Sequence, residues 1–186
     1  MSVHLDEPIF NFGEMIEVTG IDAKTFNNWL ERDLITLGQL HRTGRRQYSV
    51  ADCIKIAIIS SLSVPMRPGF ASAVGQSDVI DPRLREVAAL DADHELIHRG
   101  YFGKDEPNYL IAFAMPDNAN YKVARVVESK LLEAAFGRAS VIGLEPVTIV
   151  PLDNIAKTIA LKASQVLQRI ETAHAKATAS KKKSAV

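Results

Sequence analysis

The chain has 186 residues, a length that suits one domain or two small ones. Its 22 basic side chains are balanced by 22 acidic ones and 47% of its residues are hydrophobic, which excludes a wholly disordered chain and a protein that coats nucleic acid through overall charge. The single cysteine, Cys53, excludes an intrachain disulfide framework and fits a reducing compartment. Because the sequence lacks a signal peptide and any long apolar run, we predict a cytoplasmic protein with no membrane partner.

The first predicted element is a short helix that begins at Phe12. Met15, Ile16 and Val18 are interleaved with glutamates, which leaves one apolar side. Gly20 ends this helix, because glycine adopts the positive φ of a helix C-terminus. A tight turn therefore leads directly into the second element.

A second helix is predicted to begin after Asp22, a residue type that caps helix N-termini. Phe26, Trp29 and Leu30 follow the helical repeat and are expected to face the core. Asparagine can pair bidentately with adenine in a major groove, which makes this helix a candidate for reading bases. Its predicted outward face carries Lys24, Thr25, Asn27, Asn28 and Glu31.

A basic hairpin is predicted between the second helix, expected to end near Leu34, and a third helix. Residues 35–48 suit two short strands around a Thr43-Gly44 turn. A cationic cluster without an intervening acid lies here, formed by His41, Arg42, Arg45 and Arg46. Alone it could be a solvated loop, but beside the helix pair it predicts contacts to phosphates.

The third helix is predicted from Val50 to about Leu62, capped by Ser49 with Asp52 reaching back to it. Its apolar residues lie on more than one side, so it is either central to the core or shared with a partner chain. Cys53 within it is interpreted as a small buried hydrophobe rather than a sensor.

The order of these motifs resembles the MerR family of DNA-binding regulators. The first helix and turn of that family are similar to the segment Phe-Gly-Glu-Met-Ile-Glu-Val-Thr-Gly-Ile. Its recognition helix is similar to the segment Thr-Phe-Asn-Asn-Trp-Leu-Glu-Arg-Asp-Leu-Ile. Gly-Arg-Arg-Gln-Tyr-Ser-Val-Ala-Asp resembles the end of its wing and the start of its third helix. The resemblance covers the N-terminal third and implies a winged helix-turn-helix over residues 1–64. The predicted DNA-binding residues are Lys24, Thr25, Asn27, Asn28, Arg42, Arg45, Arg46 and Tyr48.

Residues 65–107 are predicted to be a hinge and helical connector. Two prolines between Val64 and Gly69 break the third helix, and residues 70–74 suit a further short helix. Asp81-Pro82 is a typical helix start, expected to lead into a helix over residues 83–90.

One segment of this connector, His94-Glu95-Leu96-Ile97-His98, matches the pattern of zinc hydrolases. Its charged neighbours and the glycine at Gly100 count against a supporting helix. We therefore predict no metal and no cofactor, with zinc binding by His94 and His98 as the alternative.

Residues 108–151 are predicted to form a small α/β unit. The apolar run over residues 108–115 indicates a strand, residues 117–136 carry an apolar stripe at helical spacing, and residues 140–150 suit one bent strand or two. Met115, Tyr121 and Phe136 are interpreted as ordinary core, with a pocket for a small-molecule effector as the alternative.

A dimerisation helix is predicted over residues 152–175. Its apolar seam includes Ile155, Ile159, Val166 and Ile170, whose spacing suits pairing with a second copy. The alternative is that the seam covers the α/β unit of its own chain. The resemblance favours the homodimer, since MerR-like proteins usually dimerise through a C-terminal helix. Residues 176–186 are predicted to be a disordered basic tail.

The predicted fold is thus mostly α with short strands: an N-terminal winged helix-turn-helix, a small C-terminal α/β unit and a long C-terminal helix. The predicted function is that of a sequence-specific dimeric DNA-binding transcriptional regulator, not an enzyme, whose partner is double-stranded DNA. Three alternatives stay open. They are a phage or mobile-element architectural factor such as an excisionase, a zinc peptidase fused to a DNA-binding module, and an adaptor that has lost DNA binding.

Overall fold

The computed structural model describes residues 5–77, 80–81, 108–115, 118–128, 131–134 and 147–183. The helices are α1 (Phe12–Thr19), α2 (Ala23–Glu31), α3 (Val50–Ser63), α4 (Pro68–Gly75) and α5 (Leu152–Lys183). The strands are β1 (Gln39–Leu40), β2 (Arg46–Gln47), β3 (Asn108–Met115), β4 (Asn118–Glu128) and β5 (Val147–Val150). Within these residues the chain is mostly helical, and none of the helices described is long and apolar enough to cross a membrane.

Local hydrogen bonds delimit the N-terminal helices, and the end of α1 at Gly20 and the cap of α2 at Asp22 are as predicted. Asn11 and Glu14 form a capping box at the start of α1, and Gly20 ends that helix with φ 71°. The Asp22 carboxylate caps α2 by accepting from the Thr25 amide at 2.8 Å. α2 ends at Glu31, earlier than expected, where the chain turns through Asp33 with φ 51°.

α3 is the centre of the core. Ser49 and Asp52 form the predicted capping box at its start, and eight of its residues are buried on several sides. The neighbours that cover it include α1, α4 and α5, all of the same chain. Of the two alternatives for this helix, the central core position is therefore the one observed. Cys53 is buried within it, and burial raises the pKa of its thiol far above the ordinary range.

The prediction of a helix over residues 117–136 is wrong for residues 118–128, which form strand β4. β3 lies in the middle of a three-stranded antiparallel sheet of order β4-β3-β5. Its Leu110 is opposite Val126 of β4 and Val150 of β5. Tertiary pairing with β3 overrides the helical spacing of β4, whose β-branched residues suit a strand. Among the described residues of the predicted helix, residues 131–134 form a short helical turn.

Several predictions fall outside the described residues. These are the helix after Asp81-Pro82, the segment from His94 to His98, and residues 140–146 of the last strand region. The proposed effector pocket depends on the side chains of Met115, Tyr121 and Phe136, which also lie outside the described part. Those predictions therefore stay predictions.

α5 is longer than predicted, and its apolar seam faces its own chain. The helix continues through Lys183. The prediction of a disordered tail over residues 176–186 is therefore wrong for residues 176–183. Ile159 and Val166 are buried in the chain's own core, and Ile155 and Ile170 pack against it. α5 contacts α1, α3 and β3. Within the described residues α1 and α3 therefore cover much of the seam, and the assignment of these four residues to a dimer interface stays a prediction.

An ion pair joins α5 to α1 at the surface. Both Arg169 guanidinium nitrogens Nη1 and Nη2 donate to the Glu17 carboxylate, each at 2.6 Å. The hydrogen bonds from Arg169 lower the pKa of Glu17. Because the two hydrogen bonds are parallel, they fix the relative orientation of the two side chains, although the contact is exposed.

Candidate nucleic-acid interface

The polar face of α2 points to solvent, as its sequence predicts. Phe26 and Trp29 are 0% and 5% exposed, and Leu30 is half-buried against the core. The exposed residues of this face are Lys24, Thr25, Asn27, Asn28 and Glu31. The Thr25 hydroxyl also donates to Asp22 at 3.1 Å, which leaves its oxygen lone pairs for a ligand. These hydrogen bonds from Thr25 lower the pKa of Asp22.

An aromatic cluster fixes the direction of that face. The Phe26 ring lies 6.0 Å from Phe12 of α1, 6.4 Å from Trp29 and 5.8 Å from Tyr48, measured between ring centroids. Tilted and edge-to-face contacts of this kind stabilise a specific arrangement beyond the burial of area. Because Tyr48 directly follows β2, the cluster ties α2 both to α1 and to the base of the hairpin.

The hairpin of β1 and β2 presents His41, Arg42 and Arg45 of the cationic cluster at its tip. Leu40 is opposite Arg46 in the antiparallel register. The turn beyond is closed by bonds from His41 N to Arg45 O at 2.8 Å and from Gly44 N to His41 O at 2.9 Å. Gly44 has φ 75°, a conformation that favours glycine. His41, Arg42, Thr43 and Arg45 are all exposed, so the cations at the tip are accessible to a polyanion.

Arg46, in contrast, supports the hairpin from within. Its side chain is half-buried and donates from Nη1 to the Leu37 carbonyl at 2.7 Å. Gly38 packs beside it with φ 83°, and a Cβ there would lie 2.8 Å from the Tyr48 ring. Arg46 therefore holds the entry of the hairpin, a role that sequence reasoning did not assign to it.

Tyr48, which is predicted to contact DNA, lies in the core, and this burial counts against a contact through its side chain. The residue is 1% exposed, and its backbone pairs with Phe10 through bonds of 2.8 Å and 2.9 Å. Burial raises the pKa of its phenol. Its ring packs edge to face on Phe26 of α2, which places Tyr48 in the hydrophobic core.

Two further groups of residues were not found from the sequence. Leu40 of β1 is 71% exposed on the hairpin beside the cations. Ser72 and Gln76 of the α4 region bond to the Leu34 carbonyl in the loop between α2 and β1, from 38 and 42 positions further along the chain. Nothing local in the sequence signals these contacts, because they depend on how α4 packs on α3.

The charge of this surface is mixed rather than uniformly basic. Lys24, Arg32, Arg42 and Arg45 are exposed, but so are Glu31 and Asp33 near the end of α2. Since the chain as a whole is neutral, attraction to a polyanion depends on these few cations. Such a surface suits a site of limited size, read by contacts in defined positions.

Among the residues that the structure describes, the surface includes two concave regions outside the exposed face of α2. A groove of about 370 Å³ separates the base of the hairpin from the start of α3, and an ion pair of 2.5 Å between Lys55 and Asp81 closes one side of it. A shallower one of about 270 Å³ lies between α3 and α5, and its lining combines hydroxyl groups and Lys162 with apolar residues such as Ile155 and Ile159. Among the described residues, no group of three or more His, Cys, Asp or Glu could hold a metal.

Comparison with known proteins adds no assignment. No model of a known protein family matches the sequence, and no significant match to a curated protein was found. The geometry of this surface is therefore the basis on which a function can be proposed.

Proposed function

We propose that this protein is a sequence-specific DNA-binding transcriptional regulator whose first three helices and hairpin form a MerR-like winged helix-turn-helix. One observation carries the proposal. A polar, asparagine-bearing face of α2 is held by the Phe26–Tyr48 contact in a fixed relation to a hairpin with exposed arginines. An α-helix fits the major groove of B-DNA, and exposed cations at its side suit the flanking phosphates.

The interface residues divide into three roles in this proposal. Asn27 and Asn28 project from α2 and read base edges, because a carboxamide offers both a donor and an acceptor. Lys24, Arg42 and Arg45 contact phosphates, while the Thr25 oxygen accepts from a base or a water molecule. Arg46 holds the hairpin through Leu37 rather than meeting DNA first.

The oligomeric form is a separate part of the proposal. A two-fold dimer would place two copies of α2 on an inverted repeat. Ile159 and Val166 are buried within one chain, which leaves less of the expected seam for such a dimer. That observation favours a second candidate, an architectural factor such as an excisionase that binds tandem sites as monomers.

Selection of binding sites from random double-stranded DNA tests the function and separates these two candidates. The regulator proposal expects an enriched motif arranged as an inverted repeat, with a dimer in sedimentation at micromolar concentration. Direct repeats bound by a monomer would support the architectural factor. Failure to enrich any motif, with no retarded band on DNA at low salt, would contradict both and favour a protein-interaction adaptor.

The zinc peptidase alternative depends on His94, Glu95 and His98, which lie outside the described residues. We propose instead that the protein is not an enzyme. Metal analysis of protein purified without chelators tests the zinc site on which the peptidase alternative depends. Stoichiometric zinc that disappears in a His94→Ala, His98→Ala double variant would support the peptidase alternative. A metal-free protein that still binds DNA would count against it.

A further inference from the structure

A hydrogen-bonded clamp holds the loop that connects α2 to the hairpin. The loop runs over residues 32–38, from the end of α2 at Glu31 to the start of β1 at Gln39. Two of its peptide groups bond to side chains of Ser72 and Gln76, which lie on and just after α4. The contacts reach across the chain, so they are a tertiary feature and not a turn motif.

The carboxamide of Gln76 uses both its donors and its acceptor in this clamp. Its Nε2 donates to the Leu34 carbonyl at 2.9 Å and to the Ser72 hydroxyl at 2.7 Å. Its Oε1 accepts from the Thr36 amide at 2.8 Å and from the Thr36 hydroxyl at 3.0 Å. Since a flipped carboxamide would place oxygen against oxygen at Leu34, only one orientation satisfies all four groups.

Ser72 completes the arrangement from a buried position. It is 4% exposed, and its hydroxyl donates to the same Leu34 carbonyl that Gln76 contacts. Ile35, between the two clamped peptide groups, is 4% exposed and fixes the loop from the core side. The loop is therefore held on two sides and cannot tilt freely between α2 and β1.

The clamp is itself anchored, because α4 packs closely on α3. A Cβ added at Gly75 would lie 2.3 Å from Ile59 Cγ1 and 3.3 Å from the Lys55 carbonyl, so the two helices touch through the glycine. Phe70, Ala71 and Val74 of the same helix are buried. The position of α4 is thus set by the core and transmitted to the loop.

We propose that Ser72 and Gln76 are positioning residues that set the geometry between α2 and the hairpin, which makes α4 a control point for DNA recognition. This inference rests on the proposed function, since α2 and the hairpin are the two elements assigned to DNA. Two elements that must meet adjacent sites on one duplex lose affinity when their relative position is no longer predetermined.

A pair of variants tests the clamp. Gln76→Met has similar length and no charge, and it removes every side-chain hydrogen bond of Gln76. Gln165→Met makes the same change at an exposed position of α5 and serves as the matched control. Ser72→Ala removes only one hydroxyl and provides a second variant if Gln76→Met does not fold, as judged by circular dichroism.

The first measurement needs no DNA. Spin labels on Glu31→Cys and Thr43→Cys, both exposed, report the distance between the end of α2 and the tip of the hairpin. The native Cys53 is buried and stays unlabelled in the folded protein. We expect a broader distance distribution for Gln76→Met and Ser72→Ala, and the wild-type distribution for Gln165→Met. If neither Gln76→Met nor Ser72→Ala broadens the distance distribution, the inference is overturned.

The second measurement is affinity for the preferred DNA site and for random DNA. We expect Gln76→Met to bind the preferred site about tenfold more weakly, a loss typical of removing one hydrogen-bonded group. Its affinity for random DNA should be almost that of the wild type. If the distance distribution broadens but the affinity for the preferred DNA site is unchanged, α4 does not control DNA recognition. If the wild-type protein binds no DNA, the proposed function fails, and the distance measurement still decides whether the clamp sets the geometry.

Discussion

The ring of Phe26 meets the ring of Tyr48 edge to face, with centroids 5.8 Å apart and planes inclined by 73°. One ring comes from α2 and the other directly follows the hairpin, so this contact joins the two parts of the candidate interface inside the core. Both residues are essentially inaccessible, at 0% and 1% exposure. The geometry of the surface thus depends on a contact that DNA would never touch.

Phe26→Ala is expected to destabilise the protein by about 3–5 kcal/mol, since it removes a fully buried ring from the cluster. Tyr48→Phe keeps the ring contact and is expected to change both stability and DNA affinity little. Thermal unfolding with titration of the preferred DNA checks both variants. A large drop in the affinity of Tyr48→Phe at unchanged stability would mean that the phenol reaches DNA after all.

Replacing Arg42 and Arg45 by alanine is expected to weaken binding to preferred and random DNA alike. The slope of log affinity against log salt should fall by about 1 for each phosphate that the variant no longer neutralises. Arg46→Ala provides the comparison. Because the Arg46 side chain bonds to the Leu37 carbonyl, we expect this variant to have lower thermal stability and a smaller change in salt slope than the double variant. An unchanged slope in the double variant would show that the hairpin tip does not contact phosphates.

Asn27→Ala and Asn28→Ala are expected to affect the choice of sequence. Each should weaken binding at the preferred site by about 1–3 kcal/mol and affect random DNA much less, because alanine cannot pair with a base edge while the phosphate-binding cations remain. Gln168→Ala, at an exposed position of α5, is the control. Equal weakening on both DNAs would indicate that the asparagines position the helix instead of reading bases.

Gly75→Ala is expected to destabilise the fold although alanine favours helices. The new Cβ would lie 2.3 Å from Ile59 Cγ1, and overpacking of this kind costs about 1–3 kcal/mol. Gly69→Ala in the same helix is the matched control, because its nearest neighbour would be Leu34 Cδ2 at 3.9 Å. Chemical denaturation of the two variants measures the difference, and equal stabilities would mean that α4 does not pack closely on α3.

The Glu17–Arg169 pair predicts a pH-dependent contribution to stability. Arg169 lowers the pKa of Glu17 from its ordinary value of 4.5, so the pair stabilises the folded state above pH 4.5. The contribution disappears as pH falls through the lowered pKa, because the protonated carboxyl no longer holds the guanidinium. The difference in unfolding midpoint between wild type and Glu17→Gln should therefore vanish in acid. High salt should also reduce it, since the pair is exposed.

Short-range features of this protein follow from its sequence alone. The caps at Asp22 and Ser49, the end of α1 at Gly20 and the outward face of α2 all depend on groups within four residues of one another. Hydrogen bonds and helical periodicity over such distances are dictated by local residue types. The same holds for the turn at Gly44, where positive φ suits glycine.

Only the tertiary structure decided how residues without a decisive local pattern are placed and which elements cover them. Tyr48 lies in the core, and Arg46 supports the hairpin through its bond to Leu37. Residues 118–128 form a strand beside β3, and α1 and α3 cover much of the apolar seam of α5. Each outcome depends on partners far away in the chain, as does the clamp of Gln76 on Leu34 and Thr36. Apolar periodicity indicates that a side chain must be buried, but the partner that buries it is selected by packing of the whole chain.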